Sequence, residues 1–336
     1  MSTLEPQWAK ICTFENLLLA FQKACKGKRN RPDVAWFNFN LEQELFNLLD
    51  ELISLRYQPG LYRSFNIYER KPRIISVAPF RDRVVHHALM NVLEPIIDRL
   101  LVNSTFACRK GKGVHMAVDF YQRQSRRFAY VLKMDVQKYF PSINQDILKG
   151  QLVSIIKDNK VLLILNRIID GCNTLECAGR GLPIGNLTSQ ILANLYLNDI
   201  DHWMMVQQDF AYIRYVGDLF VLGNSKAHLW RVKKELDQKL AELKLQLHSH
   251  KSHIFLTREK VDVLGYKVTR NKRWLRNENG FRMARKLKSM SQQYADGRIG
   301  LQNVNSSVAS WVGHAQHAET LGLRGSMLNK EAFTKS

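Results

Sequence analysis

Two acids could carry chemistry together. Asp135 closes the apolar run Phe128–Asp135 (FAYVLKMD), and Asp218 sits between the two apolar runs of Tyr212–Leu222 (YIRYVGDLFVL), at the turn of a hairpin pattern. Side by side in one sheet, their carboxylates repel and need a cation, and hard oxygen ligands suit Mg²⁺. Two such ions about 4 Å apart activate an attacking hydroxyl and stabilise a leaving oxygen in phosphoryl transfer. Taken singly, Asp135 is an ordinary strand-end acid and Gly217-Asp218 an ordinary turn. Their surroundings change that reading. From Lys267 to Lys288 nine basic residues stand against one acid, Glu278, with Trp274 and Phe281 among them. A second basic stretch holds Arg109, Lys110, Lys112, Arg123, Arg126 and Arg127. Basic side chains neutralise phosphates and aromatic rings stack on bases, so two separated tracks suit a cleft for a long polyanion.

The elements that must position these residues follow from periodicity. Leu41–Arg56 has apolar residues at helical spacing and is broken by Gln58-Pro59-Gly60. Ser64–Val77 reads as two short strands around Glu69-Arg70-Lys71-Pro72, and Arg81–Leu100 as a helix. Thr188–Val206 predicts one long helix, Arg231–Leu247 another, and Val261–Val268 a strand ahead of a helical C-terminus. Strand, helices, hairpin, helix and strand in that order predict an α+β fold with an antiparallel sheet.

Composition sets the outer limits. The chain has 336 residues and a formal net charge of +20, with 45% hydrophobic and 24% charged residues. That is a globular composition with a strongly positive exterior, for which nucleic acid is a better partner than a membrane. No apolar run approaches the ~20 residues of a membrane span. Met1–Lys10 lacks a basic-then-apolar leader, and five scattered cysteines suit a reducing cytoplasm. Cys172 and Cys177 lack a second pair for zinc and read as buried thiols.

Motifs in order then narrow the field. Met134–Ile143 (MDVQKYFPSI) resembles the first catalytic motif of reverse transcriptases, and Leu182–Gln190 (LPIGNLTSQ) their nucleotide-contacting loop and helix. Tyr215–Asp218 (YVGD) sits where that family has Tyr-x-Asp-Asp. Leu245–Lys251 (LQLHSHK) resembles the lysine-bearing motif, Leu264-Gly265-Tyr266 the primer-grip turn, and Arg81–Ala88 and Ala107–Gly113 the fingers of bacterial enzymes. The resemblance runs from about Arg70 to about His317. Ile184-Gly185 with Ser189-Gln190, and Ser310–His314 (SWVGH), are similar to the enzymes of diversity-generating retroelements. The short length after the thumb points the same way.

The resemblance implies a right-hand polymerase fold. Residues 1–60 would be a helical extension, 61–127 fingers with 144–184 inserted, 128–143 and 185–268 palm, and 269–336 a basic connection and helical thumb. It implies RNA-directed DNA synthesis on a template RNA and RNA/DNA hybrid, with deoxynucleoside triphosphates, two Mg²⁺ ions and a small basic helical accessory protein. Asp135 and Asp218 would hold metal with help from the Val136 carbonyl, and Lys251 would protonate the leaving pyrophosphate. Lys71 and Arg73 would hold the triphosphate, Phe140 would exclude a ribose 2′-hydroxyl, and Ile184, Gly185 and Gln190 would contact the nucleotide. Tyr215, Leu264, Gly265, Tyr266, Arg273, Trp274 and Arg276 would contact primer and template. Ile184 replaces a polar side chain, which implies relaxed base selection. Gly217 stands where the motif has its first acid, the principal metal ligand. Because strand residues alternate faces, Asp218 is expected not to stand in for that acid unless the turn shifts by one. Impaired activity follows as an expectation. A non-catalytic RNA-binding relative and an antiphage relative that polymerises without a template remain open alternatives.

Overall fold

The structure, a computed structural model, describes residues 7–68, 72–171, 179–207, 209–329 and 333. Lys71, Cys172 and Cys177 lie outside the described residues. Among the described residues nine strands are present: β1 (Arg63–Tyr68), β2 (Pro72–Val77), β3 (Tyr130–Asp135), β4 (Phe210–Tyr215), β5 (Asp218–Gly223), β6 (His253–Leu256), β7 (Val261–Val263), β8 (Tyr266–Val268) and β9 (Arg273–Leu275). They form an antiparallel β1-β2 hairpin, a four-stranded antiparallel sheet in the order β4-β5-β3-β6, and a three-stranded antiparallel sheet β7-β8-β9. Helices pack against the central sheet through a shared core, in an α+β arrangement.

Alternation along the central strands gives that sheet two apolar faces. Leu132 and Met134 of β3, Leu219 and Val221 of β5 and Tyr212 of β4 join the large core shared with the N-terminal helices. Val131, Phe220, Leu222 and Ile213 join a second core that includes Val261, Val263, Tyr266 and Val268 of the small sheet. Burial on both faces explains why these strands read as continuous apolar runs rather than alternating ones. The C-terminal helices Asn277–Ala295, Leu301–Ala315 and Leu321–Leu328 share a small core of Met283, Leu287 and Met327. No helix among the described residues is long and apolar enough to cross a membrane.

Several boundaries differ from expectation for local reasons. The helix from Leu41 stops at Ile53, because Leu55 takes φ 57° and the amides of Arg56 and Tyr57 both turn back to the Glu51 carbonyl. The helix expected over Arg231–Leu247 runs Lys226–Glu242, started by the Ser225 hydroxyl accepting the His228 amide and followed by Lys244 at φ 57°. Val261–Val268 is a tight hairpin rather than one strand, turning at Leu264 (φ 48°) and Gly265 (φ 102°). Thr188–Val206 is two helices, Leu187–Tyr196 and Asn198–Val206. The carbonyls of its broken end find side-chain donors: Ala193 from the Tyr139 hydroxyl, Asn194 from Arg214 Nη2 and Tyr196 from Gln151 Nε2. Helix ends leave such carbonyls orphaned, and three side chains here make the break tolerable.

Asp82, near the start of helix Phe80–Leu100, is buried and accepts from the Tyr57 hydroxyl (2.9 Å) and the Gly60 amide (2.8 Å). It ties helix Phe80–Leu100 to the segment between helix Leu41–Ile53 and β1. Asp82→Ala strands both donors and should lower unfolding free energy by about 2–4 kcal/mol. Urea denaturation measures it, and an unchanged midpoint would show that the donors find other partners.

Candidate active site

The register of the central sheet decides the site. Asp135, last residue of β3, lies directly opposite Asp218, first residue of β5. Directly opposed residues on adjacent strands project from the same face, so the two carboxylates stand together. Asp218 thus stands beside Asp135 from its own place at the start of β5, and the register does not move it into the place of the missing first acid. The hairpin turn consists of Val216 and Gly217 alone, and Asp218 begins the strand, paired also with Tyr215. Both acids share the face of Lys133 and Phe220, on which the small sheet packs.

Charge around the pair is dense. Lys251 Nζ contacts Asp135 Oδ2, and the His248 amide donates to the Asp135 carbonyl at 2.7 Å, so LQLHSHK grips Asp135 twice. Lys251 is thus anchored on the acid of β3. Burial, then the Asp135 charge, raises the Asp218 carboxyl to about 6, against the pull of Lys133, Lys251 and Arg276. Asp262, which the sequence reading did not single out, gathers Lys133, Lys267 and Arg276 beside the pair. Its neighbours in the chain, Val261 and Val263, carry only a strand signal, and the partners that give it meaning are remote in sequence.

Gly217 leaves the position of the first motif acid without a carboxylate. A Cβ built there would lie 3.0 Å from Tyr139 Cβ and 3.5 Å from Val136 Cβ. Val136 itself donates its amide to the Gly217 carbonyl at 2.9 Å and is buried. Among the described residues no group of three or more His, Cys, Asp or Glu side chains converges as a metal site. Two facing carboxylates fit one divalent ion, whose chemistry would be to polarise a hydroxyl or phosphate oxygen. They do not fit the two-ion centre.

The segments that carry Arg73, Phe140, Ile184 and Gly185 are joined by hydrogen bonds. The Leu182 amide donates to the Phe140 carbonyl (3.0 Å), the Ser76 amide to the Ile184 carbonyl (3.1 Å), and the Ala78 amide to Asn186 Oδ1 (3.4 Å). These bonds join the segment after Asp135, the Ile184-Gly185 loop and β2, which carries the exposed Arg73. Gly185 has φ +119°, and a Cβ there would meet Ile75 Cγ2 at 3.0 Å, so glycine is required twice over. Phe140, Ile184 and Gln190 are half-buried.

The primer and template set divides. On the small sheet, Asp262, Lys267 and Trp274 stand opposite one another on one face. They line a cavity of about 970 Å³ together with Lys260, Arg276 and Phe281, and Lys260 Nζ sits 4.5 Å above the Trp274 ring. Tyr266 lies on the other face, fully buried, its hydroxyl against His314 (2.9 Å) and His115 (3.2 Å). Arg273 is held by Asp119 and Gln122. Tyr215 is half-buried beside the acids, and Leu264 and Gly265 form the turn of the small hairpin. On helix Asn277–Ala295, Arg282, Arg285, Lys286 and Lys288 are exposed, as a phosphate track needs. The earlier basic stretch is partly structural: Arg109 bonds Asp98 and the carbonyls of Val102 and Thr105, and Lys112 the carbonyls of Asn103 and Thr105.

Comparison with known proteins bears on the family and the fold. The family model described as "Reverse transcriptase (RNA-dependent DNA polymerase)" matches residues 65–268. The chain belongs to the reverse transcriptase family. It is 24% identical over 277 residues to Protein YkfC of Escherichia coli (strain K12), covering 69% of this chain and 73% of that one. It is 23% identical over 172 residues to the group II intron-encoded protein LtrA of Lactococcus lactis subsp. cremoris, covering 49% of this chain but only 28% of LtrA. The fold matches that of apo telomerase from Candida Tropicalis, truncated from its C-terminal domain, with a TM-score of 0.50 and 14% identity over 65% of this chain and 55% of that chain. That family is one of RNA-directed DNA polymerases, which this chain resembles, and its members generally use divalent metal ions.

Gly217→Ala should cost about 1–3 kcal/mol of stability, because the added methyl overpacks against Tyr139. Thermal unfolding reads this, and no loss would mean that the turn yields freely. The raised Asp218 carboxyl gives a pH signature of definite sign. Between about pH 4 and 6 the native state holds a proton that the unfolded chain has released, so stability falls as pH rises through that window. From pH 4 to 7, denaturant unfolding should show the natural chain losing about 2 kcal/mol more than Asp218→Asn. Parallel pH profiles would contradict the raised value.

Proposed function

We propose that the chain is a diversity-generating-retroelement reverse transcriptase that binds template RNA and RNA/DNA hybrid, with nucleotidyl transfer held down by Gly217. The observation that carries the reading is the opposed pair Asp135 and Asp218, with no carboxylate at the turn between them. In this reading the pair holds Mg²⁺, Arg73 and Lys71 steady the triphosphate of a deoxynucleotide, and Phe140 meets its sugar. Ile184, Gly185 and Gln190 bound the base-pairing side, and the apolar Ile184 relaxes base selection. Trp274, Arg276 and the exposed thumb cations follow the primer and template. A small basic helical accessory protein and a cytoplasmic setting complete the proposal.

Lys251 on Asp135 favours a second reading, a polymerase-like protein that binds RNA and does not synthesise, because an ammonium already neutralises the acid. Primer extension on an RNA template with Mg²⁺, alongside RNA binding at several salt concentrations, separates the two. The first reading expects salt-sensitive binding and trace extension that Gly217→Asp raises about 10–100-fold. Binding with no extension from either form selects the second. Full extension that Gly217→Asp leaves unchanged overturns the account of the site, and homopolymer synthesis without template would assign the antiphage alternative.

A further inference from the structure

The turn that presents Asp218 is strained in a specific way. Its two residues are Val216 and Gly217, and Val216, a β-branched residue, takes φ 57°. Gly217 has no positive φ, so the glycine stands one place after the position that needs it. Two-residue hairpin turns with positive φ at their first residue select glycine there, and valine in that conformation persists only where its surroundings enforce it.

Beneath the turn, on the sheet face opposite the two acids, lies Arg214, whose side chain is fully buried. Its guanidinium makes a forked pair with Asp201, Nε to Oδ1 at 2.8 Å and Nη2 to Oδ2 at 2.5 Å. The same group donates to the Asn194 carbonyl (2.9 Å), Asn194 Oδ1 (3.3 Å) and the Val216 carbonyl (3.4 Å). Its backbone is fastened as well, its amide to the Ser104 carbonyl and its carbonyl to the Phe106 amide. Asp201 also accepts from the Tyr212 hydroxyl at 2.7 Å. Arg214 therefore joins the broken end of helix Leu187–Tyr196, helix Asn198–Val206 and the strained turn at one point. Its charge is matched by Asp201, and the cations that pull the Asp218 carboxyl down are Lys133, Lys251 and Arg276.

We propose that Arg214 is a positioning residue that locks Val216 in its strained conformation and so fixes Asp218 opposite Asp135. The functional consequence rests on the reading that these two acids hold a divalent ion. Lysine cannot replace it, because one ammonium cannot serve Asp201, Asn194 and Val216 in the planar fork.

Removing Arg214 alone would leave Asp201 buried and unpaired, so the test variant is Arg214→Met with Asp201→Asn, which keeps an acceptor for Tyr212. Hydrogen exchange of the peptide spanning the hairpin is measured first, and Mn²⁺ binding by electron paramagnetic resonance second. The expected result is a hairpin that exchanges at least tenfold faster while the rest of the sheet keeps its protection, and Mn²⁺ affinity at least tenfold weaker. Adding Val216→Gly should restore both, since glycine needs no lock. Unchanged hairpin protection, uniform loosening of the whole sheet, or no recovery with Val216→Gly overturns the assignment. If the natural chain binds no Mn²⁺ but its hairpin responds as stated, the metal reading fails and the role of Arg214 stands.

Discussion

Everything at the centre of this protein depends on the register in which β3 and β5 pair. A one-residue slip would carry Asp218 to the opposite face and put Leu219 beside Asp135. Several forces resist that slip. Leu219 and Val221 are needed in one core and Phe220 and Leu222 in the other, so a slip would turn every apolar side chain of β5 into the wrong neighbourhood. The two-residue turn leaves no slack, and the Val136 amide, bonded to the Gly217 carbonyl, extends the pairing past the end of β3. The carboxylates face each other because hydrophobic packing elsewhere on the strands permits no alternative.

Bringing two acids together has an electrostatic consequence that the surroundings only partly absorb. Lys251, Lys133 and Arg276 lie near, yet Asp218 still has a raised carboxyl, because burial and the charge of Asp135 outweigh them. Much of that cationic charge is already engaged: Lys251 on Asp135, and Lys133 and Arg276 on Asp262. In the proposed function, this remaining imbalance is what would draw one divalent ion to the pair. The site lacks the third carboxylate that would make room for two.

Much of this was legible in the sequence. Asp135 at the end of an apolar strand and Asp218 beside a hairpin turn gave the facing pair of acids, and the order of motifs gave the family. The α+β class followed from the alternation of strand and helix patterns. What stayed hidden depends on contacts remote in sequence. Nothing within Thr188–Val206 forecasts a break at Leu197, because the groups that stabilise it, Tyr139, Arg214 and Gln151, come from elsewhere. Tyr266 reads as a surface residue of a turn motif, yet strand alternation places it inward against His314. Arg109 reads as a phosphate ligand, but it is spent on Asp98 and loop carbonyls that only the fold brings near. Charge counts point to a polyanionic partner; they do not say which cations are free to bind.

The glycine in the YVGD turn illustrates the same limit at a single residue. From sequence it is a missing acid and a flexible point. In the fold its backbone holds Val136, its absent side chain leaves room for Tyr139, and the residue before it bears the strain. Restoring a carboxylate there would thus add a ligand and a steric load at once, in opposite senses for catalysis and stability. The two effects are physically separable, since the first depends on divalent ions and the second does not. A chain that gained synthesis while losing thermal stability would show both at work, and it would mean that the tight packing around Gly217 formed in the absence of the acid.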